Sequence, residues 1–337
     1  MRARHVLFAL VVGVVPAAIG ALIGGCEPRS RADGTAPAGS GSSGSPGSAS
    51  VDSAAAASGT AEPGTSIPKE DVEAAINARK LPPYDGPTGT IEGIVRVAGD
   101  EAPEVSLRLP AACRGAEAMY GRVFREGEDR VVADVLVAVT GYDAFVPAKS
   151  DVVNVRIERC SYPARTIAMT YGQRMEVENF DDGMSFVPVL HGSRFAAYRV
   201  AVPQRNAGAS LQSDPVRLYP QTPGQYLLGD YMKHTWMTAD VLVLKFATHA
   251  VSGVDGRFRV EGVPIGQVSV DAWLPAIDAT EKKAVEVKAG EVTTVDFVLT
   301  FDEANHRARV AAGVASSKPA SVPPAPSASR PQPPTLR

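Results

Sequence analysis

Short runs that alternate apolar and polar residues recur along most of the chain between residues 88 and 300. Clear examples are residues 105–109, 153–157 and 268–270, and residues 241–244 form a continuously apolar run. Runs with a period of two, separated by Gly, Pro, Asp and Asn, are typical of β-strands in antiparallel sandwiches. No alternation of strands and long helices occurs, which argues against a doubly wound α/β enzyme. The sequence therefore predicts an all-β protein built from antiparallel Greek-key β-sandwiches.

The N-terminus has the pattern of an export signal. A basic start is followed by an apolar run from Val6 to Gly25, and then by Cys26 after two glycines. This arrangement resembles the lipobox of bacterial lipoproteins, in which the cysteine is diacylated and becomes the mature N-terminus. The resemblance implies a signal peptide over residues 1–25, lipid attachment at Cys26 and a body in the periplasm or at the cell surface. An uncleaved membrane helix and a plainly secreted protein remain the alternatives.

Two low-complexity segments flank the predicted body. Residues 26–68 are mostly Ala, Gly, Ser, Pro and Thr, and residues 301–337 are rich in proline towards their end. Such segments bury too little apolar surface to offset the entropy of ordering, so we expect a disordered linker and a disordered tail. Between them, residues 69–87 predict a short helix and a segment that leads into the first strand. Acidic residues lie in the first turn, where they match the helix dipole, and a proline pair ends the helix.

The last ordered part, residues 248–300, carries a distinctive turn pattern. Asp255-Gly256 suits a tight hairpin turn, Phe258 and Val260 point to one face, and Gly262-Val-Pro-Ile-Gly266 turns the chain back. This segment resembles the carboxypeptidase regulatory-like module, a small transthyretin-like sandwich of the carbohydrate-binding-like superfamily. Residues 90–97 resemble the first strand of such a module as well, so this strand could pair with either domain. The resemblance implies a fold and leaves the function open.

The middle part, residues 88–247, contains a second set of motifs in a fixed order. Asn179-Phe-Asp181 is followed by Pro223-Gly-Gln-Tyr226, and then by a loop with His234, Trp236 and Met237. This order resembles the cupredoxins, specifically plastocyanin-like proteins fused to a regulatory-like module. In that family a cysteine, two histidines and a methionine hold a type 1 copper ion, since soft sulfur and imidazole donors suit copper electron transfer.

The resemblance carries over to only part of that ligand set. His234 matches the loop histidine and Met237 the axial methionine, but Tyr231 stands in place of the thiolate. The first histidine is expected at residues 185–186, which are Ser and Phe, and His191 lies several residues later. We therefore interpret His191, Tyr231, His234 and Met237 as a candidate degenerate metal site and expect no cofactor, with copper as the alternative.

Two cysteines remain in the body once Cys26 is assigned to lipid. An even pair in an exported protein predicts a disulfide between Cys113 and Cys160, with two free thiols, or metal ligation by Cys160, as the alternatives. Motifs for hydrolases, zinc proteases and phosphate binding are missing from the sequence, and a net charge of −3 argues against nucleic acid as a partner.

We therefore expect a non-catalytic, lipid-anchored envelope protein that acts as a binding or scaffold module. Its partners would be the membrane, through the lipid, and a glycan or an envelope protein. The alternative function is a copper-binding or electron-transfer cupredoxin with an atypical site.

Overall fold

The computed structural model describes residues 67–192, 201, 215–232 and 234–312. Predictions about the signal peptide, Cys26 and almost all of the linker lie outside these residues. Within these ranges the α-helices are α1 (Lys69–Ile76), α2 (Glu117–Tyr120) and α3 (Glu303–Ala311). In the described part of the chain, no helix has the length and apolar character needed to cross a membrane.

Strands are the commonest regular structure among the described residues and far outnumber the helices, which confirms the predicted all-β sandwich class. In chain order they are β1 (Thr88–Gly99), β2 (Leu136–Thr140), β3 (Val152–Ile157), β4 (Thr166–Thr170), β5 (Arg174–Asn179), β6 (Pro188–His191), β7 (Val216–Leu218), β8 (Gly224–Asp230), β9 (Ala239–Leu244), β10 (His249–Val251), β11 (Arg257–Pro264), β12 (Gly266–Leu274), β13 (Ala279–Val287), β14 (Val292–Thr294) and β15 (Phe297–Phe301). Three of the four sheets are mixed, because β1 runs parallel to β14 and β15, β3 to β5, and β4 to β9. The antiparallel arrangement that the sequence predicts holds throughout only for the sheet of β10, β2, β12 and β13.

One sandwich, here called the terminal sandwich, joins the first two strands to the last six. Strand β1 lies in one sheet with β11, β14 and β15, and the other sheet has the order β10-β2-β12-β13. Along β1 the side chains alternate between buried and half-buried, as the period-two pattern requires. Where β1 changes partner from β14 to β15, Gly93 lies directly against the carbonyl group of Val295, an approach that only a residue without a side chain permits.

The other sandwich, here called the central sandwich, contains β3 to β9. Its sheets have the orders β3-β5-β7 and β4-β9-β8-β6. The predicted continuously apolar run, residues 241–244, forms most of β9, which is paired on both sides with β4 and β8. A strand that is paired along both edges and buried on both faces needs apolar side chains throughout, which accounts for the continuous apolar run.

The two sandwiches pack against each other through a small apolar contact. Leu136 and Ala138 on β2 lie against Leu242 on β9, and Phe246 and Trp273 pack around them. The adjoining segment carries His249, which lies on β10 and reaches Thr170 on β4 with its Nε2 atom 3.2 Å from the Oγ1 atom.

Three observations differ from the sequence predictions. Strands β1 and β2 pair with the C-terminal strands, although the predicted boundary at residue 247 placed them in the other domain. For β1 this is one of the two pairings that the resemblance of residues 90–97 left open, whereas the place of β2 is set by long-range pairing. Residues 105–109 form no strand, because prolines at 103 and 110 bracket them, although Leu107 and Leu109 still pack on the central core.

The third difference concerns the predicted tail, of which residues 303–311 form α3. The Asp302 carboxylate caps this helix by accepting a hydrogen bond from the Asn305 N–H group at 2.9 Å. The Arg309 guanidinium donates to the Ile277 carbonyl at 2.7 Å, and the His306 ring packs on Phe301. The tail predicted to start at residue 301 therefore begins with an anchored helix.

Candidate functional site

The loop between β8 and β9, here called the His234 loop, carries most of the residues predicted for the metal site. Its histidine is held by the last residue of β8: the Nδ1 atom of His234 lies 2.6 Å from the Oδ2 atom of Asp230. The other oxygen of this fully buried carboxylate accepts a hydrogen bond from the Val187 N–H group at 2.6 Å. Both oxygens of Asp230 are therefore used, and only the Nε2 atom of His234 is left for another partner.

Aromatic rings enclose the imidazole of His234. Phe186 lies on one side with its ring centroid 5.1 Å away, and Trp236 lies at 5.2 Å. Phe186 stands in the region where the cupredoxin resemblance expects a first histidine, and it is fully buried. An apolar ring therefore faces His234 where a second nitrogen donor would be required.

A turn after β5 positions the segment that covers this site. The buried side-chain amide of Asn179 donates to the carbonyls of Met184 at 2.7 Å and Ala201 at 3.0 Å. The Asp181 carboxylate accepts hydrogen bonds from the N–H groups of Arg159 and Cys160, two residues with left-handed backbone conformations. The Asn-Phe-Asp motif therefore has a structural role here: it fixes two neighbouring loops.

Three sulfur atoms meet beneath that turn. Cys113 and Cys160 are joined in a disulfide, and the Sδ atom of Met184 lies 3.6 Å from one sulfur and 3.5 Å from the other. Trp236 connects this cluster to the His234 loop, because its Nε1–H group donates to the Cys160 carbonyl at 3.2 Å. We call Cys113, Cys160 and Met184 the sulfur cluster.

The predicted metal ligands do not converge. The Nε2 atom of His191 lies over Gly229, and the next residue, Asp230, points to the opposite face of β8, so His191 and His234 lie on opposite faces. The Tyr231 side chain is 65% exposed, whereas Met237 is fully buried. Among the residues that the structure describes, no set of three His, Cys, Asp and Glu side chains is arranged to hold a metal ion.

These positions also test whether a type 1 copper ion fits the site. Both cysteines of the described part are bound to each other, so neither supplies a thiolate to the His234 loop. The Nδ1 atom of His234 is taken by a carboxylate, and a phenol stands in the thiolate position. The residues present do not fit a type 1 copper centre.

Several other titratable groups are buried, some of them beside this loop and some at a distance from it. Burial raises the pKa of Tyr120 to about 12, and burial also raises the pKa of Tyr162, whose hydroxyl donates to the Gly229 carbonyl at 2.9 Å. Burial lowers the pKa of His249 to about 4. Asp134 is nearly fully buried, and it accepts two hydrogen bonds at 2.6 Å from the Arg125 guanidinium.

An open groove of about 550 Å³ lies on the terminal sandwich. Charged side chains of both signs line it: Glu92, Asp255, Arg257, Arg259 and Asp296. The guanidinium of Arg259 pairs with Glu92, and that of Arg257 lies 3.7 Å from Asp255. This mixture of exposed donors and acceptors suits a polar ligand better than an apolar cofactor.

Sequence reasoning missed the contacts that define the His234 loop. Asp230 was not singled out, although it lies four residues before His234, and Met184 lies five residues after Asn179 in the segment expected to supply a ligand. The disulfide itself had been predicted from cysteine number. Its proximity to Met184 and Trp236 depends on tertiary structure.

Comparisons with known proteins leave the chain without an assigned family. No family model matches it, and no curated protein matches it. Among solved structures it is similar to the Cu-containing nitrite reductase (NirK) from Thermus scotoductus SA-01, with 20% sequence identity over 31% of this chain and 24% of that chain, and a TM-score of 0.21. The chain thus spans about a quarter of that enzyme, and a match of this extent supports no inference about chemistry.

Proposed function

We propose that this chain is a non-catalytic binding or scaffold module of the bacterial cell envelope, presented on a lipid anchor at Cys26. Its ligand would be a polar envelope component, either a glycan or a partner protein. The proposal needs no cofactor and no reaction step.

One observation supports a non-catalytic role most directly. The reactive groups that the sequence offers in the His234 loop and beside it are bound to other parts of the fold: His234 to Asp230, Cys113 to Cys160, and Asp181 to two backbone N–H groups. A catalytic nucleophile must be free to reach its substrate, and neither the two bonded cysteines nor the engaged Asp181 carboxylate meets this condition; only the Nε2 atom of His234 stays free. These groups instead connect loops of the central sandwich.

The charged groove supplies the candidate binding surface. Arg257 and Arg259 alternate along β11 and point outward, while Phe258 and Val260 between and beside them are buried in the core. Two guanidinium groups on a rigid strand can donate several hydrogen bonds in a fixed direction. Their neighbours Glu92 and Asp296 supply acceptors, so the surface matches a ligand with both hydroxyl or amide donors and acceptors.

The proposal is tested with the full chain carrying Cys26→Ala, which removes the lipidation site. Binding to insoluble cell-wall peptidoglycan is measured by co-sedimentation for this protein, for a groove variant with Arg257→Ala and Arg259→Ala, and for a control with Arg217→Ala and Arg307→Ala. We expect the groove variant to bind at least tenfold more weakly and the control, whose arginines are also exposed, to bind normally.

Equal binding by the groove and control variants refutes the groove as the binding surface. If the parent does not bind peptidoglycan, the glycan form of the proposal fails. Photo-crosslinking from Arg257 in intact cells then tests the protein form. A stoichiometric copper centre with an intense thiolate charge-transfer band in the untreated protein would overturn the whole proposal in favour of electron transfer.

A further inference from the structure

The sulfur cluster has an arrangement that a disulfide alone does not require. Met184 places a thioether beside both sulfurs of the Cys113–Cys160 bond, at 3.6 and 3.5 Å. A disulfide carries no S–H group, so these contacts are not hydrogen bonds. Any apolar side chain could fill this space, yet the chain supplies a third sulfur atom at nearly equal distances from the other two.

These distances match what a small soft cation needs. Thiolate and thioether ligands favour monovalent copper and chemically similar d10 ions, and metal–sulfur bonds are about 2.3 Å long. Three such bonds in a plane place the sulfur atoms about 4 Å apart, as simple geometry from that bond length gives. The Met184 sulfur already lies close to this separation from both cysteines, and reduction removes the bond that holds the cysteines closer together.

We propose that the reduced sulfur cluster is a three-coordinate site for a soft monovalent cation, Cu(I) or Ag(I), with Cys113, Cys160 and Met184 as ligands. The site differs from the cupredoxin ligand set discussed above and uses neither His234 nor Met237. It is also independent of the proposed binding function, which concerns the terminal sandwich.

The positions of the ligands do not depend on the disulfide bond alone. The Asn179 side-chain amide donates a hydrogen bond to the Met184 carbonyl. At Cys160, the N–H group donates to the Asp181 carboxylate, and the carbonyl accepts a hydrogen bond from Trp236. None of these three contacts involves the sulfur atoms of the disulfide, so breaking that bond does not remove their donors or acceptors. The reduced chain therefore keeps two of the three sulfurs in a prearranged position, which lowers the entropic cost of binding the ion.

The surroundings also suit a charged complex. Both cysteines are buried, but Met184 is partly exposed, and neighbours of the two cysteines, including Gly115, Arg159 and Ser161, line an open groove of about 390 Å³. The Arg159 side chain packs across Gly115 and borders this groove.

The step is a thiol–disulfide exchange followed by ion binding. A dithiol reductant gives two electrons and two protons to the Cys113–Cys160 bond, which yields two thiols, and the reductant becomes a disulfide. Binding of the cation then releases both thiol protons to solvent. The resulting complex has two thiolates, one neutral thioether and one net negative charge.

The test uses the full chain with Cys26→Ala, reduced with dithiothreitol and desalted without oxygen. Cu(I) affinity is measured by competition with a chromophoric chelator, together with stoichiometry, for the parent, Met184→Leu and Met232→Leu. Met184→Leu keeps the apolar volume and removes the sulfur, while the exposed Met232 is a matched control. We expect one ion per reduced chain, an affinity at least tenfold lower in Met184→Leu, and no change in Met232→Leu.

Two further measurements separate this site from its alternatives. X-ray absorption of the loaded parent should show three sulfur neighbours at about 2.3 Å, and His234→Ala should leave the affinity unchanged. Equal affinities for Met184→Leu and Met232→Leu overturn the proposal, whether the reduced chain is folded or unfolded, because an unfolded chain treats both methionines alike. Binding of equal strength to the oxidised protein would overturn it as well.

Discussion

Acid should destabilise this protein through His249, which lies where the two sandwiches meet. The side chain is largely buried, its Nε2 atom lies 3.2 Å from the Thr170 hydroxyl, and burial lowers its pKa from 6.5 to about 4. The neutral ring is therefore the form that the fold accommodates. The unfolded chain, with its ordinary pKa, binds a proton more readily between pH 6.5 and pH 4.

The size of the effect follows from these two pKa values. The unfolded state binds more protons in this range, so stability rises with pH and falls on acidification. A shift from 6.5 to about 4 corresponds to about 3 kcal/mol when the whole range is crossed, at 1.36 kcal/mol per pKa unit. Between pH 7 and pH 5 the same relation gives a loss of about 2 kcal/mol.

Urea unfolding at pH 7 and pH 5 measures this loss, and His249→Gln is the variant that removes it. The wild-type free energy of unfolding should fall by about 2 kcal/mol more than that of the variant over this interval. Burial also lowers the pKa of His306. As a control, His306→Gln is therefore introduced into both the wild type and the His249→Gln variant, so that His306 contributes to neither measurement. If the wild type and His249→Gln lose the same stability on acidification, the buried neutral histidine is not the cause.

Three further predictions concern stability, each measured by urea unfolding. Replacing Cys113 and Cys160 with alanine should lower the free energy of unfolding by about 4 kcal/mol, because the bond closes a loop spanning 47 positions; a loss below about 1 kcal/mol would argue against this entropic account. Asp134→Asn should cost about 3 kcal/mol, since it leaves the partly buried Arg125 guanidinium without its buried charge partner, and an unchanged midpoint would contradict that reasoning. Gly93→Ala should cost about 2 kcal/mol or more, because a methyl group there meets a backbone carbonyl; wild-type stability would show that the two strands can move apart freely.

Strands that carry a complete local pattern were predictable from the sequence. Residues 153–157 lie in β3, and residues 241–244 lie in β9, because alternation or continuous apolarity reports how many faces of a strand are buried. Residues 105–109 show the same alternation and form no strand. The prolines on both sides of that segment were the signal that should have outweighed the pattern.

Contacts between distant segments were not predictable in the same way. The cysteine pair could be predicted from the number of cysteines, but Asp230 as the partner of His234 and Phe186 as its neighbour depend on how β6 and β8 are placed. The helix α3 was missed because its capping residue Asp302 and the contacts that anchor it are ordinary polar residues in the sequence. Only the structure shows that they meet the terminal sandwich.

The place of β1 has a consequence for how the chain matures. Its partners β11, β14 and β15 lie roughly two hundred positions downstream, so β1 leaves the ribosome long before the strands that pair with it. Contacts of such high sequence separation slow folding, and β1 stays unpaired until those strands have been made. A product that stops before residue 292 would leave one edge of β1 bare along its whole length, an edge of the kind that recruits other chains into aggregates.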